Sequence, residues 1–237
     1  MIKYLFILFI SFTIPLFSQN NPEKETLAKI FIEIPDTFFS ELRHEQDDSI
    51  KIDKAMRRSM IDTLNVTDEW NPVIHFTAFD TVNHYLKLLS KRGDPEGMWS
   101  EIAYWNRNDG NKLVMMTINY GDMCVEEQTH RYFWIYNGTQ FTPVNESDVI
   151  PDIESSYCIS ETFLKKHKKA REAALPYRIA HTANEDNTSF TFSPEFDYLF
   201  SCDDSFTDDA WYGLTGDDII RKEIVLEWNG SKFILKK

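Results

Sequence analysis

The chain is short of glycine, with 8 in 237 residues, and of cysteine, with 3. So little glycine leaves little backbone for a phosphate-cradling loop, and neither a P-loop nor a G-x-G-x-x-G run occurs. G-x-S-x-G, H-E-x-x-H and C-x-x-C are also absent, so no common hydrolase, zinc or redox signature is written locally. Cys124, Cys158 and Cys202 allow three alternative single bridges and leave one thiol over. A chain of this length can bury a core without disulfides. The three are read as small buried apolar residues, with one bridge of unassigned partners left open. Positive charge is scarce too: 25 Lys and Arg face 38 Asp and Glu, a net charge of −13. That balance argues against nucleic acid and anionic lipid surfaces, which need a cationic patch. Its plain reading is solubility.

Long apolar runs are missing except at the start. Tyr4 to Phe17 is apolar, preceded by Lys3 and followed by Ser18-Gln19-Asn20. This is the layout of a secretory signal peptide, and it falls short of the roughly 20 residues that cross a bilayer. The expected cut follows Ser18, with no cysteine there to carry a lipid. The expectation is a periplasmic or secreted protein with no stable membrane insertion after cleavage.

Large rings are plentiful, with 18 Phe, 10 Tyr and 6 Trp, which is the composition of a folded chain. Leu27, Ile30, Phe31 and Ile34 recur at helical spacing behind Pro22, and Pro35 ends that run. Ile52, Ala55, Met56, Met60 and Leu64 predict a second helix, with Asp47 and Asp48 near its positive end. Between 70 and 144, six short runs rich in β-branched and aromatic residues alternate with turn signals. Connections this short predict an antiparallel meander. Asn145 to Asp152 reads as a break. Ser160 is positioned to cap one helix over Glu161 to Leu175, and short strands fill Tyr177 to Lys237. The expected fold class is α+β, mostly antiparallel meanders with N-terminal helices and a mid-chain helix. The organisation reads as 1–18 signal peptide, 19–150 helices plus sheet, and 151–237 helix plus a smaller sheet. One continuous domain and two sheet lobes are both left open.

One local echo stands out. Trp134-Ile-Tyr-Asn-Gly-Thr-Gln-Phe141 resembles Leu226-Glu-Trp-Asn-Gly-Ser-Lys-Phe233. Asn-Gly between apolar runs predicts a two-residue hairpin with φ > 0 at both central residues. The second copy would then pair Trp228 with Ser231, Glu227 with Lys232 and Leu226 with Phe233. Alternation puts Ile224, Leu226, Trp228, Phe233 and Leu235 on its core face, and Tyr132, Trp134, Tyr136 and Phe141 on that of the first.

Four groups are candidates for chemistry, each with a plainer structural reading. Asp203, Asp204, Asp208 and Asp209, with Asp217 and Asp218, offer oxygen ligands to calcium but lack the spacing of a calcium loop; they read first as a solvated loop. Cys124 and His130 with Glu126 or Glu127 can be drawn as nucleophile, base and acid, without support from spacing. Lys165, Lys166, Lys168, Lys169 and Arg171 form the one cationic run: a docking patch for an anionic partner, or an ordinary solvated helix face. Trp99, Tyr104, Trp105, Trp134 and Tyr136 can make a sugar platform or simply core. None is assigned as a catalytic, cofactor or metal residue, and no cofactor is expected.

The segment Phe31-Ile-Glu-Ile-Pro-Asp-Thr-Phe-Phe39, then Leu42, Arg58-Ser-Met-Ile-Asp62 and Val66-Thr67, resembles the opening of a family of uncharacterised exported proteins from Bacteroidetes. The resemblance covers roughly the first 140 residues. Ile34 stands where that family usually has Met, and Ser59 where it has an acid. It implies an exported compartment and a coarse fold and transfers no functional residue. The functional expectation is a non-catalytic binding protein of the cell envelope whose partner is an envelope protein or polysaccharide. The alternatives are a hydrolase with carboxylates assembled only by the fold and a calcium-stabilised envelope protein.

Overall fold

A computed structural model of the chain describes residues 22–42, 52–63, 74–90, 98–119, 129–172, 177–180, 189–194, 213–221 and 223–236. The fold is α+β. Strands β1 (Ile74–Asp80), β2 (Tyr85–Ser90), β3 (Met98–Asn106), β4 (Lys112–Asn119), β5 (Thr129–Tyr136) and β6 (Phe141–Val144) form an antiparallel sheet in sequence order. They follow the expected meander closely, because the runs are short, rich in β-branched and aromatic residues and separated by turn signals. Central β3 and β4 bury alternate residues on both faces, and edge strand β6 buries none. A second, four-stranded sheet holds β7 (Tyr177–Ala180), β8 (Ser189–Pro194), β9 (Ile224–Trp228) and β10 (Phe233–Leu235) in the order β10-β9-β8-β7. The strand expected at Phe196–Cys202 lies outside the described residues.

Helices α1 (Pro22–Glu33) and α2 (Lys54–Asp62), with a 3₁₀ segment Asp36–Leu42 between them, cover one face of the large sheet. Leu27, Ile30, Phe31, Ile34, Phe39 and Leu42 are all buried there, against Leu86, Ile102, Tyr104, Val114, Met116 and Trp134. Asp53 caps α2: its Oδ1 accepts the Met56 N–H at 2.8 Å; Asp47 and Asp48 lie outside the described residues. Arg57, 1 % exposed, lies in the apolar stripe of α2. It donates to the carbonyls of Ile52, Ile32 and Ile34 at 2.7, 2.9 and 2.6 Å, meets Asp36 at 2.8 Å and lies over the Phe39 ring. One guanidinium thus ties the end of α1, the 3₁₀ segment and the start of α2 together.

The other face of the large sheet carries Tyr85, Ala103, Trp105, Leu113, Met115 and Phe133. They share one apolar cluster with Phe163, Leu164, Ile224, Leu226 and Phe233 from the second half of the chain. Two expectations are corrected here. The stretch read as a break contains a one-turn helix, α3 (Glu146–Val149), which buries Val149 and leads into buried Ile150. The mid-chain helix is two short helices, α4 (Glu161–Lys166) and α5 (Lys168–Glu172). Ser160 caps α4 as expected, accepting from Phe163 N at 3.2 Å. The break falls at His167, whose backbone leaves helical geometry at φ −116°, ψ 81° while its ring stacks on Phe163 at 4.2 Å.

The hairpin register is also corrected. Trp228 pairs with Phe233, Glu227 with Ile234 and Leu226 with Leu235, and Tyr136 pairs with Phe141 in the first copy. Both loops have four residues. Asn229 Oδ1 accepts the N–H groups of Ser231 and Lys232 at 2.9 Å each, and Asn137 Oδ1 accepts those of Thr139 and Gln140. Asparagine here closes the loop with its side chain instead of adopting positive φ. Only the glycines do that, at 96° and 90°. The slip is two residues, so the expected core faces survive. Glu227 therefore pairs with Lys236 at 2.8 Å rather than with Lys232.

Candidate functional site

Two polar groupings are embedded in the large sheet. On the face opposite α1 and α2, register places Lys87, Glu101, Thr117 and Arg131 side by side across four strands. Glu101, 6 % exposed, accepts from Tyr85 Oη at 2.9 Å and meets Lys87 Nζ at 3.1 Å on the same oxygen. Arg131 donates twice to Glu146 of α3, at 3.0 and 2.9 Å. Asn119 donates to Thr117 Oγ1 at 3.4 Å, and both are buried. Burial, then the Glu101 charge, pushes the Tyr85 phenol well above its usual range. The buried Glu101 side chain is thus paired with both a phenol and an ammonium on one oxygen, as a polar group at this depth requires.

On the helix-covered face, Glu23 in the first turn of α1 reaches the far end of the sheet. Its Oε2 accepts from Tyr104 Oη and lies 3.2 Å from His84 Nε2. His84 is the one described non-glycine residue with positive φ, at 52°. It stacks on Tyr104 with ring centroids 4.2 Å apart and an interplanar angle of 7°. Lys112 Nζ lies 5.0 Å from the Tyr104 ring centroid and donates to Asn106 Oδ1 at 2.6 Å. Desolvation pulls the His84 imidazole below its ordinary value, opposed by Glu23, while burial and the Glu23 hydrogen bond raise the Tyr104 phenol. A strained backbone, an imidazole, a phenol and a half-exposed carboxylate on one spot are the materials of a site. Here they join α1 to the strand ends.

Of the residues singled out from sequence, Tyr104 belongs to the second grouping, and Trp99 lies beside the first, its ring centroid 5.5 Å from Lys87 Nζ. Cys124, Glu126, Glu127 and Asp203 to Asp209 lie outside the described residues, and His130 is exposed near the start of β5. Asp218 closes a capping box with Thr215, whose hydrogen bonds hold its carboxyl below the usual range. Among the described residues, no three His, Cys, Asp or Glu side chains lie close enough to hold a metal. Cys158 is a free, fully buried thiol, its pKa pushed up to about 11 by burial. The aromatic platform divides: Tyr104, Trp134 and Tyr136 lie in the helix-side cluster and Trp105 in the opposite one. The cations of α4 and α5 are on the surface. A surface depression of about 550 Å³ adjoins those helices, with Glu154, Glu161, Glu172 and Arg171 on its wall.

Sequence reading missed Arg57, Lys87, Glu101, Arg131, Glu146 and the Glu23–His84–Tyr104 grouping. A signal was present for two of them. Lys87 and Glu101 are charges set within otherwise apolar strand runs, where a charge is buried only if something pairs it.

No family model matches the chain, and no curated protein does. Among solved structures, the chain is similar to a domain of an uncharacterized protein from Porphyromonas gingivalis W83. The TM-score is 0.50 at 8 % identity, covering 89 % of this chain and 97 % of that one. A likeness at that identity is one of fold alone.

Proposed function

We propose that this chain is an exported, non-catalytic binding protein of the cell envelope. The observation that carries this reading is how the buried acids and bases are used. Arg57, His84 and Glu101 each close onto partners inside the fold, whereas a catalytic acid or base keeps a face open to substrate. The amino-terminal apolar run supports export. No helix among the described residues is long and apolar enough to cross a membrane. The resemblance of residues 31–67 to exported Bacteroidetes proteins agrees with a fold shared with a Porphyromonas gingivalis domain.

Cell fractionation with intact-mass analysis of the native product tests export: a periplasmic or secreted species beginning at Gln19 is expected, and retention of Met1 overturns it. Pull-down of the mature chain from envelope extract tests binding. The hydrolase alternative has a separate arm. Turnover of envelope polymers that disappears in Glu101→Gln or Glu146→Gln, with folding intact, would replace the binding reading. The calcium alternative draws on Asp203, Asp204, Asp208 and Asp209, which lie outside the described residues, and on Asp217 and Asp218, the latter engaged in the Thr215 capping box; equal melting temperatures in millimolar calcium and in chelator remove it.

A further inference from the structure

We infer that the outer surface of α4 and α5 is a docking site for an acidic polysaccharide. The inference rests on the binding-protein reading and names its partner class. From Thr162 to Arg171 there is no acid and there are five cations, in a chain whose net charge is −13. Lys165, Lys166, Lys168 and Lys169 are all exposed. Lys165, Lys166 and Lys168 form no ion pair with any described residue. Arg171 instead meets Glu161 at 2.7 Å, which neutralises the acid at the start of α4.

The break at His167 shapes the patch. Its ring packs on Phe163, and Phe163, Leu164 and Ala170 are buried at 4, 1 and 0 %. The apolar side chains of both short helices therefore point into the molecule. That selects among anionic partners. A helix lying in a lipid interface presents an apolar face to the acyl boundary, and a stable protein interface is anchored by apolar or aromatic side chains at its centre. The described residues of α4 and α5 offer neither. A hydrated polymer bearing repeated carboxylates needs only clustered cations, and four exposed lysines fall within five residues of two short helices that break at His167. Screening within about 10 Å at 0.1 M salt lets the patch act locally although the whole protein is acidic.

The net charge makes the test decisive, because an acidic protein is repelled by a polyanion unless a local site overrides the repulsion. The mature chain is passed over immobilised polygalacturonate, with neutral dextran as the control matrix and phosphatidylglycerol vesicles as a separate arm. The wild type should be retained on polygalacturonate alone and released by salt. The variant K165Q/K166Q/K168Q/K169Q should weaken on the order of tenfold or more at an unchanged melting temperature, and the matching four-arginine variant should stay bound. Flow-through of the wild type, equal retention of the glutamine variant, or binding to the vesicles without binding to polygalacturonate each overturns the proposal. The export and pull-down results above stand independently of all three.

Discussion

The two Asn-Gly hairpins are the same turn in two settings. Each has a four-residue loop, an asparagine side chain holding two backbone N–H groups, and a glycine at positive φ. The first ends in open space: a Cβ on Gly138 would meet nothing within 4 Å. The second is interlocked with the β3–β4 turn. Asn108 N–H donates to the Gly230 carbonyl at 2.9 Å, Arg107 reaches the Ser231 carbonyl, and Trp228 Nε1 donates to the Asn106 carbonyl at 2.7 Å. A Cβ on Gly230 would come within 2.3 Å of the Asn108 side chain. Local sequence sets the turn, and the neighbour decides whether the turn also joins two sheets.

The largest test of this contrast exchanges the ring after each loop. Phe233 is fully buried, against Trp105 at 4.9 Å, while Phe141 is half-buried at a sheet edge. Phe233→Ala should lower stability by about 3–5 kcal/mol and Phe141→Ala by well under half of that, read from urea unfolding. Equal losses would break the comparison. Next come the glycines. Gly138→Ala should cost about 1–2 kcal/mol for left-handed backbone alone, and Gly230→Ala more, because Asn108 must move. A double-mutant cycle with Asn108→Ala should return a coupling of roughly 0.5 kcal/mol or above for Gly230 and none for Gly138.

A smaller effect contrasts the clusters beneath the hairpins. The helix-side face carries Ser100, fully buried, with its hydroxyl unpaired. Ser100→Ala should stabilise the protein by about 1 kcal/mol, and a destabilised variant would reveal a partner for that hydroxyl. The smallest concerns pH. His84 titrates below its ordinary value when folded, so the unfolded chain binds more protons as pH falls through about 6.5. Stability contributed above that pH is lost on acidification towards the folded value. His84→Asn, which tolerates positive φ, should flatten the stability profile between about pH 7 and 5. An unchanged slope would assign the dependence to another group.

Much of the fold was legible because it is locally written. Strand positions β1 to β6, the core faces of the two Asn-Gly hairpins and the Ser160 cap follow from alternation and from residues whose backbone preferences are intrinsic. The α4–α5 break was not legible, since it depends on where His167 finds Phe163. Hairpin register was misjudged by two residues because asparagine had two ways to serve a tight turn, and the one using its side chain prevailed. The sheet's polar row was hidden for a different reason. Lys87 and Glu101 are 14 positions apart in the chain, and Glu101 and Arg131 stand two strands apart, so no local window contains them.

By itself, the order of residues determined which segments become helix or strand and which side chains turn inward, because both depend on neighbours a few positions away. Only the tertiary structure decided which charges share a site, which of two equal turns becomes a joint, and which helix side carries its lysines outward. Those outcomes depend on contacts between segments tens of residues apart, where chain folding, not local preference, sets the distance.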